Sequence, residues 1–102
     1  FVNVIGGIRV DEPASDLGIC LAIASGFRGF VIPSDTVAVG EVGLTGEVRS
    51  VNSIDRRINE AVKLWFKRII VPLANAKSLN KDSFDIEIMG VSTLLEALAF
   101  VR

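Results

Sequence analysis

Apolar and polar positions alternate along this chain with periods that change from segment to segment. Residues 1–10 are rich in Val and Ile and broken only by Gly6-Gly7, which predicts a strand bent or bulged at the glycines. Asp11-Glu12-Pro13 ends that run, and Pro13 followed by Ala14, Ser15 and Asp16 reads as a helix entrance with acid near its positive end. The helix is expected to reach about Ser25, with Gly26 as its stop. Leu17, Ile19, Cys20, Leu21 and Ile23 leave it almost no polar face, so it is expected to be buried on most sides.

Val37, Val39 and Glu41 lead into Gly43-Leu44-Thr45-Gly46, and residues 47–51 return, the pattern of a β-hairpin around a glycine-bounded turn. Ile54, Ile58, Ala61, Val62, Trp65 and Phe66 fall at i, i+4, i+7, i+8, i+11 and i+12, which is one helical stripe, with Arg56, Arg57, Glu60, Lys63 and Lys67 outside it. Arg68-Ile69-Ile70-Val71-Pro72 predicts a short strand ended by proline, and residues 85–89 another, with Ile86 and Ile88 alternating. Thr93-Leu94-Leu95-Glu96 has the spacing of a capping box, so a last helix closes the chain with Leu94, Leu95 and Leu98 as its apolar stripe. The order predicts a two-layer α+β domain, helices packed on a mixed sheet, spanning residues 1–102 without a linker.

Composition narrows what such a domain does. With 102 residues, 50% of them apolar, the chain is the size of one globular domain with a core of its own. A net charge of -1 excludes a dedicated electrostatic nucleic-acid binder and leaves only a local patch. One cysteine, Cys20, excludes an internal disulfide and reads as a structural thiol. No apolar run has the length of a membrane span, and the start at Phe1 has no basic leader, so a soluble, cytoplasmic protein is expected. A start without Met is expected of a fragment of a longer chain.

The candidate chemistry is sparse. Without histidine there is no Ser-His-Asp or Cys-His pair and no imidazole ligand for a metal, and no phosphate-cradling glycine loop is present. No metal site is expected. The acid pairs Asp11 with Glu12 and Asp85 with Glu87 read as a solvated loop and the wet face of a strand. What remains is a serine activated by a deprotonated lysine, with Ser15, Ser50 and Ser53 as the serines to examine.

Gly40-Glu41-Val42-Gly43-Leu44-Thr45-Gly46-Glu47-Val48-Arg49 resembles the G-E-x-x-L-x-G-x-V segment of Lon-type proteases. Asp11-Glu12-Pro13-Ala14-Ser15 lies where those enzymes carry their nucleophile turn, and Arg68-Ile69-Ile70-Val71-Pro72 where they have a strand ending in proline. More narrowly, Asn3-Val4-Ile5-Gly6-Gly7-Ile8-Arg9, Glu12-Pro13-Ala14 with Asp16-Leu17, Leu21-Ala22-Ile23-Ala24-Ser25 and Ala74-Asn75-Ala76 are similar to the RadA/Sms family of bacterial DNA-repair ATPases.

The resemblance implies a Lon-protease-like fold, related to the second domain of a small-subunit ribosomal protein. It places Ala14 at the nucleophile position and Asp55 at the lysine position, a degenerate dyad with no catalytic residue. It implies a non-proteolytic domain of a parent DNA-dependent ATPase, with ATP, magnesium and zinc bound by parent domains outside this chain and no cofactor within it. Implied partners are further copies of itself, in a ring expected to be a hexamer, and DNA. The residues proposed for DNA are Arg56, Arg57, Lys63 and Lys67. A Lon-family serine peptidase with a displaced Ser-Lys pair is the competing expectation. Phe27, Phe30 and Ile32 are the apolar residues to watch, as interface or as core.

Overall fold

The computed structural model describes residues 4–5, 8–9 and 12–102. Strands β1 (Val4–Ile5) and β2 (Ile8–Arg9) pair antiparallel, so the single N-terminal strand expected from the Val/Ile run is two short ones. Gly6 and Gly7, where a bend was expected, lie outside the described residues, as does Asp11.

A 3-10 turn over Pro13–Ser15 precedes helix α1 (Asp16–Arg28). The expected stop at Gly26 is passed. Gly29 terminates the helix instead, in the left-handed region at φ 73°, donating its N–H to the Ser25 carbonyl. Either glycine is able to end a helix in this way, and the chain uses the later one. The expectation that α1 is enclosed also fails: Leu17 and Leu21 are buried, whereas Ile23 and Phe27 face outward.

Strands β3 (Thr36–Ala38), β6 (Arg68–Pro72) and β7 (Glu87–Val91) form a parallel sheet in the order β3-β6-β7. Strands β4 (Glu41–Val42) and β5 (Val48–Arg49) make the expected hairpin, closed by Gly43 N–H to the Glu47 carbonyl. Parallel and antiparallel pairings are thus separated, where one mixed sheet was expected. The last strand begins at Glu87 rather than Asp85, because its ladder with β6 starts opposite Arg68.

Central strand β6 shows why the layering differs from the expected two. Ile69, Ile70 and Val71 are all fully buried, an unbroken apolar run of the kind a parallel sheet covered on both faces requires. Each contributes about 1.5–3 kcal/mol by leaving water. Ile70 joins Val91, Leu17 and Leu21 of α1, and Ala97, Leu98 and Val101 of helix α4 (Leu94–Val101). Ile69 and Val71 join Ile88, Ile58 and Ala61 of helix α2 (Ile54–Lys63), and Ala76 of the short helix α3 (Leu73–Lys77). Helices therefore cover both faces of the sheet: three layers, α/β in character.

Helix α4 starts as its sequence predicts. The Thr93 hydroxyl accepts from the Glu96 N–H, and the Glu96 carboxylate accepts from Thr93 N–H at 3.0 Å and Ser92 N–H at 2.7 Å. Helix α2 is shorter than its apolar stripe. Leu64 caps it, Trp65 turns the chain at φ 68°, and Trp65 and Phe66 donate backwards to the Val62 and Ala61 carbonyls. Phe66 keeps its place against the core, but Trp65, expected on the buried stripe, is 88% exposed. A stripe extrapolated at 100° per residue loses its phase once the backbone leaves the right-handed region.

Candidate functional site

Four segments converge on Ala14. The 3-10 turn presents Ala14 buried, with its carbonyl accepting from Gly40 N–H at 2.9 Å, while the Gly40 carbonyl accepts from Leu17 N–H at 3.0 Å. A side chain at Gly40 would meet Val48 Cγ1 at 2.9 Å and Leu17 Cδ2 at 3.3 Å, so only glycine lets the turn, α1 and the hairpin come together here. The Asp16 carboxylate accepts from Val42 N–H at 3.2 Å, a second tie between α1 and β4.

The fourth segment, ahead of α2, is held by Asn75. Its side-chain Oδ1 accepts from Val51 N–H at 2.9 Å and its Nδ2 donates to the Val51 carbonyl at 3.0 Å. One amide thereby replaces a strand partner for Val51. Within the Ala74-Asn75-Ala76 run the only signal for this role was one amide among small apolar neighbours.

These ties enclose an open cleft of about 340 Å³ lined by Glu12, Pro13, Ala14, Glu41, Ser50, Val51, Asn52 and Arg57. Of its two acids, Glu12 is paired within the cleft and Glu41 with Arg49 outside its lining. Arg57 Nη2 lies 2.7 Å from Glu12 Oε1, with the two side chains 18% and 40% exposed. Arg57 Nε also donates to the Asn52 carbonyl at 3.0 Å. A second, smaller cleft beside it, lined by Ala14, Ser15, Gly18, Ile19, Val37, Ala38, Val39 and Arg57, completes the surroundings of the turn.

The degenerate dyad positions do not meet. Ala14 lines both clefts, whereas Asp55, exposed on α2, lines neither. The cation beside Ala14 is Arg57, two residues beyond Asp55. Of the serines singled out, Ser15 lines the smaller cleft, Ser50 the larger, and Ser53 is the residue before α2, at φ 56°. All four lysines, Lys63, Lys67, Lys77 and Lys81, are exposed, and none lines either cleft.

The four cations proposed for DNA are also divided. Arg56 and Lys63, seven residues apart on α2, are exposed on one face. Arg57 is four residues before buried Ala61, on the inward side, and is committed to Glu12. Lys67 lies past the end of α2, on the rim of another cleft of about 440 Å³ lined by Val62, Trp65, Phe66, Lys67, Asp85, Ile86 and Glu87. In that cleft Glu87 pairs with Arg68 at 3.0 Å.

On the hairpin, Arg49 bridges Glu47 at 3.0 Å and Glu41 at 3.6 Å. Hydrogen bonds from Thr45, from Glu47's own backbone and from Arg49 hold the Glu47 carboxyl down at about 2. Cys20 is half-buried, and partial burial, with Asp16 nearby, pushes its thiol up. Among the described residues no cluster of three metal-ligating side chains occurs and no helix is long and apolar enough to cross a membrane.

Comparison with known proteins by sequence shows the family of this α/β chain. It belongs to the family described as subunit ChlI of Mg-chelatase, whose sequence model matches residues 2–75. Its relatives include the DNA repair protein RadA of Halalkalibacterium halodurans, 54% identical over 98 residues, which are 96% of this chain and 21% of that protein. RadA of Bacillus subtilis is 48% identical over 98 residues, and RadA of Escherichia coli 46% identical over 99 residues, again 21% of each relative. The chain is thus homologous to a segment of these DNA repair proteins and spans about a fifth of their length.

Proposed function

We propose that this chain is a Lon-like, non-peptidase domain of a RadA-type DNA repair and recombination ATPase, and that it holds copies of the parent together in a ring around DNA. The observation that carries the loss of peptidase chemistry is the cleft at Ala14. A methyl occupies the position that the Lon resemblance gives to the nucleophile, and the cation that lines the same cleft is an arginine already paired with Glu12. A guanidinium cannot take up a proton from a hydroxyl, so a serine placed there has no base. In this reading ATP, magnesium and zinc belong to other parts of the parent, the domain itself takes no cofactor, and the protein works in the cytoplasm as a hexamer.

Treatment of the chain with a serine-directed fluorophosphonate tests the chemistry. No acylation of Ser15 is expected, nor of position 14 in Ala14→Ser; labelling of Ser15 in the unaltered chain overturns the reading. Ring assembly is tested by sedimentation of the parent, which is expected to be hexameric.

A second reading, DNA binding, is favoured by the exposed pair Arg56 and Lys63 on one face of α2, to which Lys67, exposed past the helix end, adds a third cation. Replacing these three with Glu in the parent is expected to flatten the dependence of log affinity on log salt by roughly 0.9 for each phosphate they neutralise. An unchanged slope assigns them to solvation alone.

A further inference from the structure

We draw no further inference here: the strongest candidate, the cleft at the end of α2 walled by Val62, Trp65, Phe66 and Ile86, carries Lys67 and Asp85 together on its rim, and nothing in the structure shows what covers it.

Discussion

Helix α2 has a cleft at each end, and the two are built in opposite ways. At its start, Arg57, Glu12, Asn52 and Asn75 bond to one another or to the backbone around Ala14. At its end, Val62, Trp65, Phe66 and Ile86 wall a hollow whose rim carries Lys67 and Asp85, neither in an ion pair among the described residues, and Glu87, paired with Arg68. A site with its bonds made internally serves the fold.

Asn75→Ala is the strongest way to break this contrast. It leaves the N–H and carbonyl of half-buried Val51 without their partner and is expected to cost about 2 kcal/mol in urea unfolding. Trp65→Gly is expected to act with the opposite sign, raising stability by about 1 kcal/mol, because glycine accepts the left-handed cap without strain. A fall in the midpoint would show that Trp65 serves the fold after all.

Glu12→Gln sharpens the picture of the first cleft. It removes the charge but not the shape, and a loss below about 1 kcal/mol is expected for a pair this open to water. The smallest effect belongs to the hairpin. The Glu47 carboxyl sits lower in the folded chain than its usual 4.5, so its contribution is complete above 4.5 and is lost as pH falls through about 2. The difference in urea midpoint between wild type and Glu47→Gln is expected to shrink over that window and vanish below it.

What the sequence revealed follows how local each feature is. The capping box of α4 and the glycine-bounded hairpin are spelled out within four to six residues, and both are found as expected. The stop of α1 was three residues out because Gly26 and Gly29 obey the same rule, and α3 escaped notice because five residues after a proline show no period. Parallel pairing is invisible locally: β3 meets β6 over a separation of 32 residues, Thr36 against Arg68. The site was legible as far as single positions go. Ala14 was singled out as the place to look, but the partnership of Glu12 with Arg57 spans 45 residues, and it moves Arg57 from the outer basic face, where its charge alone had put it, into the cleft.

The shared core of α1 and α4 sets the order in which this domain comes into being. Leu17 and Leu21 settle against Ala97, Leu98 and Val101, residues near opposite ends of the described chain. During synthesis α1 lacks that shelter until residues 94–101 have also left the ribosomal tunnel, so its packing is completed only after α4 is made.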